Sequence, residues 1–328
     1  MTGPAMSAPR SRVLRRAVHG VLLLDKPPGL SSSDALLRVK RLYRAEKAGH
    51  TGTLDPLATG LLPLCFGAAT KFSQASLDAD KAYRATLRLG RTTSTGDAEG
   101  AVLREHPVAV SAAQAAAACA RFVGPIAQVP PMHSALKHEG RALYDYARAG
   151  IEIERAPRAV TVHTIDVVEL HDALLTIDVR CSKGTYIRTL GADIGEALGC
   201  GAHLAALRRT ASGAFTLSAA HTLDELAALD DAARDALLLP VDAMLVDWPE
   251  VRLDGEDAGR FLSGLRRRLD AADAACVRVY GPASSAPPGR AGRRAFLGSG
   301  HIRARELIPT RLLSPLEVQG LLDTPARP

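Results

Sequence analysis

The residues best suited to chemistry lie in one glycine-rich stretch, Gly49–Gly60, with the sequence G-H-T-G-T-L-D-P-L-A-T-G. Glycine adopts backbone conformations that other residues avoid, and proline biases the preceding residue toward an extended backbone. The stretch is therefore predicted to be a rigid loop, held at the rim of a sheet by the apolar segments before and after it. Such a loop presents side chains instead of packing them. The polar ones are His50, Thr51, Thr53 and Asp55.

Asp55 is the group in this loop that could act as a nucleophile, because a carboxylate can form and break a covalent ester. The competing interpretation is structural, since an aspartate before a proline commonly bonds its own backbone in a tight turn. The loop alone favours the structural interpretation. Residues elsewhere in the chain must decide between the two.

Other kinds of chemistry have little support in the sequence. It contains neither a G-x-x-x-x-G-K-[ST] nor a G-x-G-x-x-G motif, which argues against nucleotide cofactors, and no nucleophile elbow of a serine hydrolase. The five cysteines form no C-x-x-C pair, and no histidine stands at metal-ligand spacing from them. We therefore expect no cofactor and no metal ion, and reduced thiols in a cytoplasmic protein.

Three segments, in order, resemble the TruB family of pseudouridine synthases, which isomerise uridine in the T-loop of tRNA. They are G-V-L-L-L-D-K-P-P-G from Gly20, the glycine-rich loop, and C-S-K-G-T-Y-I-R-T-L from Cys181. The resemblance extends from Gly20 to about Phe215. It implies an α+β fold with a mixed, largely antiparallel sheet, surrounding helices and a thumb-like insertion at about 128–158. It also implies, more weakly, a small C-terminal PUA-like β-rich domain.

The resemblance assigns roles in converting uridine 55 of tRNA to pseudouridine. Asp55 would be the nucleophile that acts on a flipped-out base. Arg188 would pair with Asp55 in a buried setting and keep it ionised. Tyr83 would stack on the uracil and accept the C5 proton. Without the resemblance, a surface position for Arg188 and a core position for Tyr83 are the simpler interpretations.

The same resemblance implies further contacts with the RNA. His50 would occupy the space that the flipped nucleotide vacates, which offsets part of the cost of flipping. Tyr186 and Leu207 would shape the pocket around the uracil and support Tyr83.

Other cations and aromatic residues are assigned supporting roles. Lys26 and Pro27 would brace the catalytic loop, with a solvated lysine as an equal alternative, and Lys71 would contact RNA from a short helix. The stretch Gln128–Arg158 interleaves basic and aromatic residues, a pattern suited to RNA backbone and stacked bases. An ordinary hairpin and helix would give the same pattern, but the family's thumb-like insertion favours RNA binding.

Charge and composition suggest how the 328 residues are divided. Residues 1–19 contain four arginines and no acid, and they are predicted to be a disordered basic arm. Residues 20–247 are slightly acidic and are predicted to form the catalytic domain, whereas the arginine-rich residues 248–328 would form the PUA-like domain. The net charge of +6 therefore resides at the ends, and RNA binding in the centre requires locally placed cations.

Residue patterns also predict the elements around the loop. Lys81–Leu89 reads as a half-buried strand with Lys81, Arg84 and Arg88 on a basic outer face. Residues 90–107 are predicted to be turn and connection, and short strands around one helix are predicted after Trp248. No apolar run approaches the roughly 20 residues of a membrane span.

We expect a monomer that acts on the T-arm of tRNA without an obligatory protein partner. Two alternatives stay open at this point. One is a tRNA-folding chaperone that uses the same cleft without chemistry, and the other is a pseudouridine synthase guided by a separate RNA.

Overall fold

The computed structural model describes residues 14–282 and 294–323. The described strands are β1 (Gly20–Lys26), β2 (Ala48–His50), β3 (Thr59–Phe66), β4 (Lys81–Leu89), β5 (Arg91–Thr93), β6 (Val102–Glu105), β7 (Gly124–Gln128), β8 (Lys137–His138), β9 (Arg141–Ala142), β10 (Arg158–His171), β11 (Leu174–Cys181), β12 (Ala202–Ser212), β13 (Phe215–Thr216), β14 (Glu250–Arg252), β15 (Arg267–Arg268), β16 (Ala274–Pro282), β17 (Arg294–Arg303) and β18 (Glu306–Leu312).

The helices lie around these strands, and short 3-10 turns occur at Gly67–Phe72, Leu217–Ala219 and Ala243–Leu245. The α-helices are α1 (Ser32–Leu42), α2 (Ser73–Asp78), α3 (Ala112–Ala120), α4 (Leu143–Arg148), α5 (Ile187–Ala197), α6 (Leu223–Ala228), α7 (Asp231–Ala236), α8 (Gly255–Leu262) and α9 (Pro315–Asp323).

A nine-stranded sheet forms the centre, in the order β1-β3-β12-β4-β11-β10-β7, with β2 beside β3 and β13 beside β12. Its paired strands are antiparallel except β3 and β12, which are parallel where Gly60 faces Arg209. Gly60 has a φ of +96°, and a Cβ there would lie 2.4 Å from the Arg209 carbonyl oxygen, so the two strands can approach only because position 60 is glycine. The expected mixed, largely antiparallel sheet is confirmed.

A second sheet, in the order β14-β16-β17-β18-β15, forms the β-rich C-terminal part. One apolar core extends from the first sheet into the second, since Val21 and Phe72 belong to the same cluster as Phe261 and Phe296. The rings of Phe72 and Phe296 lie 5.1 Å apart. The expected small β-rich unit is therefore present, and it packs directly on the nine-stranded sheet.

The basic arm predicted at 1–19 requires a correction for its last residues. Val18 is buried in the core, and Arg16 Nη2 donates to Asp235 Oδ1 at 2.6 Å. This end of the arm is ordered because it brings an apolar side chain and an ion-pairing cation to the domain surface. Residues 1–13 of the predicted arm lie outside the described residues.

Other differences have local causes. Lys81 lies inside, because the period of a strand places it on the face of Tyr83 and Ala85, and its ammonium donates to the carbonyl oxygens of Leu77 and Ala79. The stretch predicted as turn and connection contains the two-stranded β5–β6 hairpin. The C-terminal prediction missed β15, β18 and α9.

Candidate active site

The loop between β2 and β3 is fixed on both sides of Asp55. The Ser32 hydroxyl, in the first turn of α1, accepts a hydrogen bond from Leu54 N–H at 2.8 Å and lies 3.1 Å from the Leu54 carbonyl oxygen. The N–H of Gly29 donates to the Pro56 carbonyl oxygen at 2.8 Å. The backbone that carries Asp55 is therefore bonded to α1 and to the turn after β1.

Arg209, on β12, holds another part of the same loop. Only 1% of this residue is exposed, and its Nε donates to the Leu61 carbonyl oxygen at 2.7 Å. Its Nη2 donates to the Gly52 carbonyl oxygen at 3.2 Å, and its guanidinium is near enough to the Tyr83 hydroxyl to lower the pKa of that group. One buried side chain thus connects the loop, β3 and Tyr83.

Not every polar side chain of the loop faces outward. Thr51 is completely buried, and its hydroxyl accepts a hydrogen bond from the Ser76 hydroxyl at 2.8 Å. The prediction that the loop presents Thr51 is therefore wrong, because this side chain anchors the loop to α2. His50, Thr53 and Asp55 do line an open groove.

Asp55 meets Arg188 at the base of this groove. Arg188 lies in the first turn of α5, whose Leu190 and Ile194 are buried in the core, and only 8% of its side chain is exposed. Its Nη2 is 2.9 Å from Asp55 Oδ2, and its Nη1 is 3.5 Å from Oδ2 of the buried Asp97. The structure therefore excludes a surface position for Arg188. Its guanidinium contacts two carboxylates, those of Asp55 and Asp97.

Opposing effects act on the pKa of Asp55. Burial raises the pKa of the Asp55 carboxyl above its ordinary value, and the charge of Asp97 acts the same way. Arg188 lowers that pKa through its charge and its hydrogen bond, but it does not reverse the rise. The Asp55 side chain is still 42% exposed, so its carboxylate is open to the groove.

Tyr83 lies on β4, opposite Val179 of β11 and Arg209 of β12. Burial raises the pKa of its hydroxyl, Arg209 opposes that rise, and the charge of Asp55 adds to it. Tyr83 is therefore near Asp55 and keeps its proton at neutral pH. It packs against the core and is not part of the groove lining.

Tyr186 and Leu207 lie on the two elements that flank these residues. Tyr186 is the residue before α5, and the buried side chain of Gln128 binds its backbone twice, accepting from the N–H at 3.0 Å and donating to the carbonyl oxygen at 3.3 Å. Leu207, on β12, packs beside Tyr83 in two core clusters. Neither side chain lines the groove.

Lys26 and Pro27 are positioned as a brace. Lys26 is completely buried at the end of β1, and its ammonium donates to the carbonyl oxygens of Pro27 at 2.9 Å and Leu30 at 2.7 Å. Burial lowers the pKa of Lys26 to about 8, against the opposing charge of Asp55. These contacts exclude a solvated lysine and stabilise the turn that holds Pro56.

The groove over Asp55 has a volume of about 500 Å³ and brings together residues from α1, the loop, the β5–β6 hairpin and the insertion at 128–158. Burial and the charge of Arg209 lower the pKa of His50, so its imidazole is neutral at physiological pH. The groove is lined by Ser31, Ser32, Ser33, His50, Thr53, Leu54, Asp55, Pro56, Thr95, Asp97, Glu99, His133, Ser134, Ala135, Tyr144, Arg148 and Arg188.

The structure does not bring Lys71 to this groove. Its ammonium is 2.6 Å from Glu317 Oε2 in α9 and donates to the Leu312 carbonyl oxygen at 2.9 Å. Lys71 therefore joins the C-terminal sheet and α9 to the part of the chain that follows β3.

Sequence reasoning missed four residues that organise the site: Ser32, Asp97, Gln128 and Arg209. Each acts on a group far away in the chain, and the separation between Arg209 and Gly52 is 157 residues. The adjacent Arg208-Arg209 pair is visible in the sequence, but nothing nearby indicates that Arg209 points inward.

No group of His, Cys, Asp and Glu within 14–282 and 294–323 has the arrangement of a metal site. In the same ranges, no helix combines the length and apolar character needed to cross a membrane.

Comparisons with known proteins agree with the motifs. Residues 40–187 match the model for the TruB family pseudouridylate synthase N-terminal domain, and residues 188–246 match that for the tRNA pseudouridylate synthase B C-terminal domain. The chain is 58% identical over 323 residues to tRNA pseudouridine synthase B of Cupriavidus pinatubonensis, covering 95% of this chain and 99% of that protein. It is 60% identical over 300 residues to the protein of the same name from Ralstonia nicotianae, covering 90% and 95%.

Solved structures resemble the fold over nearly the same range. A crystal structure of a Cbf5-Nop10-Gar1 complex contains a chain that matches with a TM-score of 0.68 and 24% identity, covering 92% of this chain and 87% of that chain. A structure of an archaeal box H/ACA sRNP Nop10-Cbf5 complex matches with a TM-score of 0.65 and 23% identity, covering 91% and 86%. At these identities the likeness concerns the fold.

Proposed function

Because this chain belongs to the TruB family of pseudouridine synthases, which isomerise uridine in tRNA, we propose that Asp55, Arg188 and Tyr83 perform that reaction on uridine 55. The observation that carries the assignment is the 2.9 Å contact between Asp55 and the buried guanidinium of Arg188, at the base of an open groove. A turn-forming aspartate would not need a buried cation beside it.

The reaction requires few chemical groups, since uridine and pseudouridine have the same atoms. The bond between C1′ and N1 breaks, a bond between C1′ and C5 forms, C5 loses a proton and N1 gains one. The Asp55 carboxylate attacks the flipped nucleotide, and the resulting ester releases the carboxylate when the new bond forms. Arg188 orients the attacking oxygen and favours the ionised carboxyl group.

Tyr83 serves the proton transfer. Its raised pKa keeps the phenol neutral, so it accepts the C5 proton while its own proton passes to N1 of the uracil, and it is neutral again when the step ends. The charge of Arg209, which lowers the pKa of this hydroxyl, stabilises the partial negative charge on the oxygen during the transfer. Tyr186, just before α5, and Leu207, on β12, support the ring of Tyr83.

The groove also suggests how the RNA is held. His50 is a neutral ring beside Asp55 that can fill the space left by the extruded base. Tyr144 and Arg148, from the thumb-like insertion, line the same groove, and the Arg148 guanidinium lies 5.3 Å from the Tyr144 ring. These residues suit the contact with stacked bases and phosphates in the T-arm.

The enzyme is proposed to act as a cytoplasmic monomer without a protein partner or guide RNA. Incubation of the purified chain alone with an unmodified tRNA transcript, followed by position-resolved pseudouridine mapping, tests this. We expect product at position 55 only. Product that appears only with added RNA or protein would instead support the guided alternative.

Substitution of Asp55 distinguishes an enzyme from a chaperone that binds tRNA without chemistry. Asp55→Asn should abolish product, since an amide cannot form the ester, while affinity for tRNA stays within about threefold. Undiminished product would remove Asp55 from its role. An exposed aspartate outside the groove, Asp172→Asn, is the matched control.

A further inference from the structure

A second cavity, about 1100 Å³ in volume, lies at the C-terminal end of α1. We call this surface the α1 patch. It is lined by Leu14, Arg15, Leu37, Lys40, Arg41, Arg44 and Ala45.

The α1 patch has an excess of positive charge. Arg44 forms an ion pair with Asp231, which also pairs with Arg234, and the neighbouring Arg16 pairs with Asp235. Arg15 and Arg41 are exposed and form no ion pair with any acid of residues 14–282 or 294–323, and the same holds for Lys40. Glu46, the nearest acid in sequence, lines a different cavity beside His19.

The patch also exposes apolar surface between these charges. Leu14 is 84% exposed and Leu37 is 47% exposed. The attraction between cations and the C-terminal end of a helix accounts for Lys40 and Arg41 in the last turn of α1. It does not account for Arg15, which is outside the helix, or for the exposed leucines.

Helix α1 connects this patch to the active site. Its first residues line the groove, and its Ser32 holds Leu54. Eleven residues of helix correspond to about 16 Å. A polyanion with one nucleotide in the groove therefore has neighbouring backbone within reach of the far end of α1.

We propose that the α1 patch binds the sugar–phosphate backbone of tRNA outside the isomerised loop. Arg15, Lys40 and Arg41 contact phosphates, and Leu14 and Leu37 contact sugars. The proposal rests on the function proposed above and extends it. In the groove the carboxylates of Asp55, Asp97 and Glu99 offset the charges of Arg148 and Arg188, so most of the attraction for the RNA backbone must come from cations outside the groove.

The test compares Arg15→Ala/Arg41→Ala with the matched control Arg104→Ala/Arg121→Ala, which removes two exposed arginines elsewhere. Affinity for a full-length tRNA transcript is measured over a range of salt concentrations. We expect the patch variant to bind about tenfold more weakly, with a salt slope smaller by roughly 1 to 2, since each lost phosphate contact removes counterion release. The control should bind like the wild type.

The rate of product formation at saturating tRNA distinguishes this proposal from the function on which it rests. We expect the wild-type rate in both variants, and a stronger loss of affinity in Arg15→Glu/Arg41→Glu. Unchanged affinity and slope in the patch variants would overturn the proposal, as would an equal loss in the control or a lower rate at saturation. A wild-type chain that forms no pseudouridine at position 55 would instead overturn the proposed function.

Discussion

At the scale of single residues, the ionisation of Asp55 depends on opposing effects. Burial and the nearby Asp97 raise its pKa, and Arg188 counteracts both. The guanidinium is itself shared, since it also contacts Asp97 at 3.5 Å. The ionisation of Asp55, the proposed nucleophile, is therefore sensitive to small changes in its surroundings.

Replacement of Arg188 should move the pH dependence of the reaction. Asp55 must be ionised to attack, so the rate rises with pH as the carboxyl group loses its proton. Arg188→Gln removes the group that lowers the Asp55 pKa, so the acidic limb should shift to higher pH. The rate on the plateau should also fall by at least about 100-fold, because the attacking oxygen loses its orientation. Single-turnover rates from pH 5 to 9 measure both effects.

Arg121→Gln, at an exposed position, is the matched control and should leave the profile unchanged. If the acidic limb of the Arg188→Gln profile stays at the wild-type pH, or moves to lower pH, Arg188 does not control the ionisation of Asp55.

At the scale of elements, the start of α5 is positioned from outside the helix. Tyr186 provides no side-chain cap, and the amide of Gln128 instead bonds the backbone N–H and carbonyl of Tyr186. Gln128 is the last residue of β7, where the thumb-like insertion begins. The insertion and the helix that carries Arg188 are thus joined through one buried side chain.

Gln128→Ala should lower the rate at saturating tRNA by about tenfold or more, because the start of α5 and with it Arg188 lose their position. The free energy of unfolding should fall by about 1–3 kcal/mol, since buried backbone groups lose their partners. Gln128→Glu can still accept from the Tyr186 N–H and should have an intermediate rate.

Gln114→Ala removes the exposed capping glutamine of α3 and serves as the control. It should lower stability without lowering the rate. An equal fall in rate in both variants would mean that Gln128 acts only through stability.

The sequence predicts the elements that depend on local residue patterns, but not the contacts between residues that are distant in the chain. Short stretches of sequence predict three elements correctly. The glycines predict the loop, the alternation of apolar and polar residues predicts the strand of Tyr83, and apolar residues at helical spacing predict the helix of Arg188. The hydrogen bonds that hold these elements in place cannot be predicted in this way, because their partners are far apart in the chain. Ser32 and Leu54 are 22 residues apart, and Gln128 and Tyr186 are 58 apart. The sequence cannot show that Lys71 bonds Glu317 in α9, because the two residues are 246 positions apart in the chain.

At the scale of the whole molecule, the two sheets are joined by a shared apolar core and by polar contacts around it. Lys71 bonds Glu317, and the pKa of Glu317 is lowered in the folded protein, since the hydrogen bonds from Lys71 and Ser314 together outweigh the opposing effect of burial. A carboxyl group whose pKa is lowered by folding stabilises the fold fully above its unfolded-state pKa, and this stabilisation is lost as the pH falls through the folded-state pKa.

Lys71→Met should therefore lower the Tm by about 2 °C at neutral pH, consistent with an ion pair of at most about 1 kcal/mol. The difference from wild type should shrink as the pH is lowered, because Glu317 then takes up a proton in both proteins. Thermal unfolding at several pH values measures this. Weaker tRNA binding with an unchanged Tm would instead restore Lys71 to the RNA contacts.

The charges that line the groove have a consequence for small molecules. Three carboxylates, of Asp55, Asp97 and Glu99, face two guanidinium groups, of Arg148 and Arg188. A free nucleotide, which carries its phosphate into the groove without the rest of the tRNA, meets an unfavourable potential there. Competitive inhibitors of this enzyme should accordingly be uncharged or cationic nucleoside analogues, and uridine should compete better than uridine monophosphate.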